Sequence, residues 1–407
     1  MKPSASKRVL MLVENSSYPG DYRVRKEANA LYAAGYGVAV ICPSQPGLAW
    51  REVVDGVLVY RYPAPPGGRS FLGYCWEYTY SLIATFLLSL LVWLYPGFDI
   101  IHAANPPDTT CLMAAFYKLF GKRFVYDQHD LAPELYYARF GGKGNSLVYR
   151  ALVWLERLSC RLADHVIATN QSFKSVEMQR GHVPEARITV VRNGPDLKHW
   201  SPGKIVQELK QQDKTLIAYM GIIEIQDGVD YLLRALRHLM TDLGRSDFRC
   251  VIIGDGGALP KLKHQSTHLG LTGFVSFTGW LERQEIPSYL SCADICVAPE
   301  PSNALNDRST VIKIMEYMAV ARPVVAFDLP EHRVTAQNAA IYARANNELD
   351  LARKIASLMD DRQKRMKMGK IGRQRIESEL AWSHQQKYLL EAYESISTGF
   401  PGRTGRL

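Results

Sequence analysis

The sequence has few cysteines and no long run of basic residues, and both absences narrow the classes of protein it can represent. Its 7 cysteines are an odd number among 407 residues, and no two of them form a Cys-x-x-Cys motif. This usage is typical of reduced thiols in a cytosolic protein and argues against a structural zinc site. The formal net charge is +9, but without a Lys/Arg block or a recognised nucleic-acid motif we expect no nucleic-acid partner. The basic excess favours an anionic membrane surface or a phosphate-bearing acceptor instead.

Signals for export and for dinucleotide binding are also absent. The first apolar run, Val9–Val13, is too short for a signal peptide and has no small-residue cleavage site, so we interpret it as a strand. No Gly-x-Gly-x-x-Gly motif follows that strand, which argues against a dinucleotide site there. The hydrophobic content of 47% and the charged content of 22% are ordinary for packed soluble domains.

Short apolar runs alternate with helical stretches along the chain, a pattern typical of parallel α/β sheets. The predicted strands of a first sheet are Val9–Val13, Gly37–Ile41, Val53–Tyr60, Ile100–Ala103, Phe124–Tyr126, Val166–Ala168 and Ile188–Val191. Those of a second sheet are Thr215–Met220, Arg249–Ile253, Val275–Thr278, Ile295–Ala298, Pro323–Ala326 and Ala340–Tyr342. We therefore expect one Rossmann-like domain at 1–195, a linker at 196–212, a second such domain at 213–381, and a helix and tail at 382–407.

One uncharged stretch, from Tyr78 to Phe98, is near the ~20 residues needed to span a bilayer and has aromatic residues at both ends. A buried strand is predicted at Ile100–Ala103, directly after it, and a spanning helix would interrupt that sheet. We favour a helix packed on the sheet and partly embedded in one leaflet, while a covered core helix and a true span stay open. The expected location is cytoplasmic, peripheral or monotopic at the inner face of the cell membrane.

The segment Ser309–Ala319 is predicted to be a helix that starts at a ligand. Ser309 or Asp307 can cap its start by accepting an orphan backbone N–H. Lys313 and Glu316 lie three residues apart, close enough on one face to serve one ligand. A helix N-terminus with a lysine in its first turn suits a phosphate, and Glu316 can accept hydrogen bonds from sugar hydroxyls. The alternative is a surface salt bridge on an ordinary amphipathic helix.

Two polar segments follow predicted strands of the first half. In the loop after the first strand, Asp21 can cap a helix, and Arg23 could contact a phosphate or lie in a solvated first turn. In the second segment, Tyr126–Glu134, a neutral His129 can donate to a sugar hydroxyl or a backbone oxygen while keeping an acceptor free. Asp130 could be a helix cap.

Several of these segments resemble one family. Ser309–Ala319, followed by Pro-Val-Val at 323–325, is similar to the donor-binding helix of retaining GT-B glycosyltransferases of the family-4 type. Glu316 matches the second glutamate of the Glu-x7-Glu motif, whereas Arg308 stands at the position of the first. The form Ser-Thr-x-x-Lys-x-x-Glu-Tyr-Met-Ala resembles a subgroup that assembles bacterial surface polysaccharides. The similarity extends over nearly the whole chain.

The resemblance also implies roles for individual residues. It assigns catalytic roles to His129, Asp130 and Glu316, with the histidine against the transferred sugar, and an acceptor or phosphate loop to Asp21 and Arg23. It places the donor among Gly221, Gly254, Gly256, Trp280, Leu281, Arg308, Ser309, Thr310, Lys313, Glu316 and Asn193. For Asn193, within Asn-Gly, a purely structural turn is the alternative.

The sequence departs from the family pattern at two positions. Ile222 and Asp227 stand where the usual arginine and lysine would contact the diphosphate. Because a dianionic donor still needs positive charge, Lys313 is the natural substitute, with Arg308 or Arg23 as further candidates.

Taken as a family member, the chain is expected to have the α/β GT-B fold, with two Rossmann-like domains facing across a cleft and a C-terminal helix that returns to the first. The implied activity moves a sugar, with retention, from a nucleotide-diphosphate donor, most often UDP-linked, to a lipid-linked or polysaccharide acceptor in cell-surface polysaccharide biosynthesis. No metal or other cofactor is implied. The departing phosphate would help deprotonate the acceptor, so stabilisation of the leaving diphosphate should dominate. A nucleotide-sugar 2-epimerase and a degenerate, non-catalytic binding subunit on the same fold are the alternatives.

Overall fold

The computed structural model describes residues 7–65, 71–140, 142–209 and 213–398. The chain divides into two compact units. The first runs to Arg192 and takes in the chain again from Gln386, and the second comprises Asn193–Gln385. The predicted tail beyond residue 398 and residues 210–212 of the predicted linker lie outside the described residues.

The first unit is an eight-stranded sheet with helices between its strands. Its elements are β1 (Arg8–Leu12), α1 (Tyr22–Ala33), β2 (Gly37–Pro43), β3 (Arg51–Val54), β4 (Val57–Tyr62), α2 (Phe71–Leu94), β5 (Ile100–Ala104), α3 (Thr110–Lys118), β6 (Arg123–Gln128), α4 (Ala132–Arg139), α5 (Ser146–Leu162), β7 (His165–Ala168), α6 (Gln171–Gln179) and β8 (Ile188–Val190). The strand order is β3-β4-β2-β1-β5-β6-β7-β8. Every neighbouring pair is parallel except β3 and β4.

The prediction of one strand at Val53–Tyr60 is wrong. The chain forms an antiparallel hairpin, β3 and β4, that turns at Asp55 and Gly56. Both turn residues have positive φ, 52° and 83°, which is the backbone that a two-residue hairpin requires and that Asp-Gly accepts readily.

Helix α2 packs on the sheet and buries several hydroxyl-bearing side chains, although the helix is strongly apolar. Its buried side chains include Ser81, Thr85 and Ser89, spaced four apart, while leucine and isoleucine side chains on other faces are exposed. The helix begins earlier than the predicted stretch 78–98 and ends at Leu94, because Pro96 and Gly97 follow. Buried strand β5 comes directly after it, as expected.

The second unit is a six-stranded parallel sheet in the order β11-β10-β9-β12-β13-β14. Its elements are β9 (Thr215–Met220), α7 (Val229–Thr241), β10 (Phe248–Ile253), α8 (Leu259–His268), β11 (Val275–Gly279), α9 (Ile286–Cys292), β12 (Ile295–Ala298), α10 (Ile312–Ala319), β13 (Val324–Phe327), α11 (Pro330–Ala336), β14 (Ala340–Ala343), α12 (Glu348–Met359) and α13 (Arg362–Arg375); α14 (Trp382–Thr398) follows and continues into the first unit. All six strands predicted for this sheet are present, with ends within two residues of the prediction.

The region predicted as a linker is packed against the second unit. Trp200 lies in the hydrophobic core that contains β9, β12 and α10. Its backbone oxygen accepts a hydrogen bond of 3.0 Å from Arg373 on α13. Polar composition suggested a connector, but Trp200 is buried, and Leu197, Val206 and Leu209 pack on the same core beside it.

Candidate functional site

The first unit holds a buried charge network at the carboxyl end of β6. Arg23, in the first turn of α1, places two guanidinium nitrogens 2.8 and 3.3 Å from the carboxylate of Asp127. A third nitrogen donates to the backbone oxygen of Val191 at 2.9 Å, and Nε lies 3.1 Å from Glu27. All these charged side chains are buried. Arg23 therefore ties α1 to the sheet, and the predicted phosphate contact would require a ligand to reach a covered guanidinium.

Asp21 caps α1 as predicted, because its Oδ1 accepts a hydrogen bond of 3.0 Å from the backbone N–H of Val24. The cap fixes the start of the helix directly before Arg23. The predicted role of Asp21 and Arg23 as an acceptor or phosphate loop stays a prediction.

Two histidines complete the network around Asp127. His102 Nε2 lies 3.3 Å from Asp127 Oδ2 and 3.4 Å from Glu27, and its Nδ1 lies 2.7 Å from the hydroxyl of Tyr393 on α14. His129 Nε2 lies 2.5 Å from the same Asp127 oxygen. Asp127 is thus shared by an arginine and two imidazoles, which brings β5, β6, α1 and α14 together.

The charges of this network favour protonated histidines. Burial opposes a charged imidazole, but the hydrogen bonds of His102 to Asp127 and Glu27 outweigh it and raise the pKa of His102 to about 9. Burial also opposes the charge of His129, yet the nearby Asp127 carboxylate raises its pKa. Burial alone would raise the pKa of Asp127, but Arg23 and His129 hold it well below the usual value.

His129 therefore differs from the neutral acceptor that we expected. A protonated imidazole donates from both nitrogens, and Asp127 takes one of those bonds. Its Nδ1 has no hydrogen-bond partner in the described part of the chain, and the side chain is 14% exposed. The structure thus leaves Nδ1 of His129 without a protein partner among the described residues, and the raised pKa of the imidazole favours a donor there.

Asn105 fixes the loop that carries His129, a role that no sequence motif indicated. Its Oδ1 accepts hydrogen bonds from the backbone N–H groups of His129 and Asp130 at 2.7 and 3.1 Å. Its amide nitrogen donates to the backbone oxygen of Asp130 at 2.9 Å. The alternative role of Asp130 as a cap is wrong, because α4 begins after Leu131 without a side-chain cap.

Glu27, Asp127 and His129 also have the composition of a metal site, since their ligand atoms lie within 4.8 Å of one another. Arg23, however, already contacts both carboxylates, and its fixed charge would repel a divalent ion at the same place. The geometry favours Arg23 as their counter-ion. That the protein needs no metal stays a prediction.

In the second unit, Lys313 and Glu316 lie on α10 as predicted, but their partners were not foreseen. Lys313 Nζ is 2.6 Å from Glu300, 3.5 Å from Asp227 and 2.8 Å from the hydroxyl of Tyr219. Burial opposes its charge, but Glu300 outweighs burial and raises the pKa of Lys313. The lysine charge is therefore already shared with carboxylates.

Glu316 is buried and lies 3.4 Å from Arg283, which follows β11. Arg283 is therefore a cation beside this site that no sequence motif predicted. The helix itself begins at Ile312 after Val311, without a side-chain cap. The predicted caps are wrong, because the Ser309 hydroxyl donates to the Leu305 carbonyl instead.

The predicted glycines are required by close backbone packing. A Cβ at Gly254 would lie 1.9 Å from the carbonyl oxygen of Gly221, and one at Gly256 would lie 2.4 Å from that of Ile223. A Cβ at Gly221 would lie 3.0 Å from Nζ of Lys313. These glycines therefore bring the ends of β9 and β10 together next to the lysine.

The other predicted donor residues occupy varied surroundings. Trp280 is mostly exposed, and Leu281 packs at the edge of a core. Thr310 donates to Glu331 at 3.3 Å, and Arg308 donates to the Ala304 carbonyl at 2.8 Å. None of these contacts tests a role in donor binding.

At the predicted Asn193 turn, the glycine serves close packing. A Cβ at Gly194 would lie 1.9 Å from the Leu380 carbonyl oxygen, and the φ of Gly194 is not in the left-handed range. The predicted donor contact of Asn193 stays a prediction.

Two family models match the sequence. Residues 21–194 match the glycosyl transferase 4-like domain, and residues 203–375 match the glycosyl transferases group 1. Together they account for most of both units.

Individual relatives are more distant. An alpha-maltose-1-phosphate synthase of Mycolicibacterium smegmatis is 27% identical over 305 residues, which cover 69% of this chain and 74% of that enzyme. The UDP-Gal:alpha-D-GlcNAc-diphosphoundecaprenol alpha-1,3-galactosyltransferase of Escherichia coli is 26% identical over 164 residues, which cover 39% of this chain and 41% of that enzyme, less than half of either.

Among solved structures, Anabaena HepE in complex with UDP-glucose has a TM-score of 0.71 at 20% identity, over 95% of this chain and 99% of that chain. This likeness, with the two Rossmann-like sheets, confirms the predicted GT-B fold. The two matches identify a glycosyltransferase with a 4-like domain at residues 21–194 and a group 1 domain at residues 203–375.

Proposed function

We propose that the protein transfers a sugar from a UDP-linked donor, bound by the second unit, to a lipid-linked or polysaccharide acceptor bound by the first. The anomeric configuration would be retained, and the product would serve cell-surface polysaccharide biosynthesis. One observation carries the proposal: Lys313, which shares α10 with Glu316, lies beside Gly221 at the carboxyl end of the second sheet, where ligands of such sheets bind. The UDP-glucose bound to HepE and the diphosphoundecaprenol acceptor of the Escherichia coli relative support the two substrate classes.

The donor would be held by charge and by hydroxyl contacts. Glu316 would accept hydrogen bonds from sugar hydroxyls after Arg283 turns toward the diphosphate, since the two side chains are only 3.4 Å apart. Lys313 would contribute a positive charge beside Gly221 from its buried position. With Ile222 and Asp227 at the usual cation positions, Arg283 and Arg308 are the further sources of positive charge.

Catalysis would depend on stabilising charge as the diphosphate leaves. His129, fixed by Asp127 and Asn105, would present Nδ1 as a donor to a sugar oxygen, a role that its raised pKa favours. The leaving phosphate would accept the proton of the acceptor hydroxyl, so that no protein base is required. Metal ions have no part in this scheme.

We also propose that the protein is cytoplasmic and binds the membrane surface through α2. Ile83, Leu87, Leu91 and Leu94 are exposed and spaced as one helical stripe, while serine and threonine side chains of another face are buried. The window Trp76–Leu94 is long and apolar enough to cross a membrane, but part of it, 22%, is buried in the protein. Packing on the sheet favours a helix lying in one leaflet over a span.

A panel of UDP-sugars, with GDP-sugars as controls, tests the donor. A ligand that binds the native protein raises the melting temperature, so one UDP-sugar should do so more than UDP alone. Product formation with that sugar should need an acceptor. Turnover without an acceptor would indicate the 2-epimerase, and binding without any turnover would indicate the non-catalytic subunit.

A further inference from the structure

The first unit contains a cavity of about 460 Å³. Its lining includes none of the candidate site residues described above. It lies between α2, the turn before α3, and helices α4 and α5. The residues Pro107, Asp108 and Ala132 are buried and form its floor. Arg139 and Phe140 are exposed and mark its opening. The volume is within the range of about 300–1,000 Å³ that is usual for small-molecule sites.

The walls of this cavity are suited to hydrocarbon. Leu135, Val148, Leu152 and Leu155 face it from α4 and α5. A sugar or nucleotide placed here would lose hydrogen bonds to water and find few replacements, which is costly in an apolar site. The apolar lining therefore excludes most of the polar ligands that a glycosyltransferase handles.

The carboxyl group in the floor does not change this conclusion. Asp108 Oδ1 accepts hydrogen bonds from the hydroxyl of Tyr126 at 2.6 Å and from Asn105 at 3.0 Å. Burial raises the pKa of Asp108, and so favours the neutral acid over a carboxylate. Burial thus shifts this group toward its neutral form, and two protein donors already hold its Oδ1.

The opening carries the positive charge that a phosphate would meet. Arg139 has no ion-pair partner among the residues that the structure describes, and its charge acts on Asp130, which follows His129. The opening therefore lies near the loop that presents His129. A guanidinium is well suited to a phosphate because its planar donors match two phosphate oxygens.

Apolar side chains continue from the opening onto the surface. Phe140, directly after α4, and Leu147 and Trp154, on α5, are exposed. An exposed apolar surface beside an apolar cavity gives a hydrocarbon chain a route from a lipid layer into the protein.

We propose that this cavity binds the hydrocarbon chain of a lipid-phosphate acceptor, with Arg139 pairing with the phosphate at the opening. This inference rests on the proposed function, because it names the class of acceptor for the same transfer. The acceptor sugar, attached beyond the phosphate, would then lie toward His129.

The test is a calorimetric titration of the full chain with farnesyl phosphate and dodecyl phosphate, below their aggregation concentrations. Leu152→Trp, which fills the cavity, should weaken binding of the better ligand at least tenfold. Ala151→Trp is the matched control, since Ala151 is exposed on the same helix and does not line the cavity, and it should change affinity less than twofold. Val148→Phe provides a second filling variant, and melting temperatures establish that each variant is folded.

The headgroup is tested separately. Arg139→Gln should weaken both lipid phosphates about tenfold while leaving the binding of farnesol unchanged. Tighter binding of farnesyl phosphate would identify an isoprenoid chain, and tighter binding of dodecyl phosphate a linear one. Both results support a lipid phosphate.

The inference is overturned if neither lipid phosphate binds, or if folded cavity-filling variants bind them like the wild type. UDP-sugar binding is measured on the same preparations, which separates the two proposals. Donor binding without lipid-phosphate binding refutes the cavity inference alone. Cavity-dependent lipid binding without any nucleotide-sugar binding refutes the proposed function alone.

Discussion

Replacing Lys313 by methionine separates a structural role of this lysine from a role in donor binding. Lys313 and Glu300 are both buried, and Nζ lies 2.6 Å from the Glu300 carboxylate. Apart from the lysine, the basic side chain that pairs with Glu300 among the described residues is His332, at 3.8 Å, and burial lowers the pKa of that histidine. Lys313→Met would therefore leave a carboxylate buried without a counter-ion.

Breaking a buried ion pair in this way costs roughly 3–5 kcal/mol. For a unit of this size, each kcal/mol lowers the melting temperature by about 2–4 °C, so we expect a fall of roughly 6–20 °C. Removing both charges, in Lys313→Met with Glu300→Gln, should recover most of the loss. Lys263→Met, at an exposed lysine of the same unit, is the matched control and should melt like the wild type.

Scanning calorimetry of the four proteins measures stability, and titration with UDP and uridine measures the phosphate contribution. If Lys313 contacts the diphosphate, the stable double variant should lose affinity for UDP about tenfold and keep its affinity for uridine. An unchanged UDP-to-uridine ratio would remove Lys313 from the donor site. If Lys313→Met alone melts within 2 °C of the wild type, the argument from the buried ion pair is refuted.

Three further variants test the first unit. His129→Ala should lower turnover by a factor of about 10²–10⁴, as expected for a lost proton donor, with UDP binding unchanged; turnover within threefold of the wild type would make His129 structural. Since the pKa of His102 is raised to about 9, its contribution to stability is complete below the unfolded value near 6.5 and is lost as the pH rises through 9. The stability lost over this pH range is on the order of 3 kcal/mol. His102→Gln should therefore flatten the dependence of melting temperature on pH. Parallel pH profiles for the variant and the wild type would contradict the raised pKa of His102. Leu87→Glu with Leu91→Glu should release the folded protein from anionic liposomes, whereas Met366→Glu, at an exposed apolar site of the second unit, should not; equal binding of all three proteins would refute the membrane contact.

The fold followed from the sequence because its strands are apolar and separated by clear breaks. All six strands of the second sheet were predictable from short buried runs such as Ile295–Ala298. The hairpin at β3 and β4 was not, since Val53–Tyr60 is apolar enough to look continuous. Its Asp-Gly turn was the available indication, because this pair accepts the positive φ of a two-residue hairpin.

The candidate sites were only partly predictable. Spacing along a helix brought Lys313 and Glu316 together, but it could not show that Glu300 pairs with the lysine from another segment. His102 and Tyr393 are 291 residues apart and meet at 2.7 Å. The only indication of this contact in the sequence was the histidine within the apolar run 100–103. A polar side chain in a buried strand needs a hydrogen-bond partner.

The two candidate sites differ in the sign of their buried charge. Around Asp127, one arginine and two histidines of raised pKa face two carboxylates, so the network favours a positive surplus at His129. Around Lys313, one ammonium group faces two carboxylates, although burial raises the pKa of Asp227 and so weakens its charge. The Lys313 cluster by itself therefore offers a donor diphosphate little net positive charge, and Arg283 and Arg308 would have to supply more. Under the proposed function, the strongest electrostatic contacts should form as negative charge develops on the leaving phosphate. Contacts that are stronger in the transition state than in the bound substrate raise the reaction rate, whereas equally strong contacts only hold the substrate.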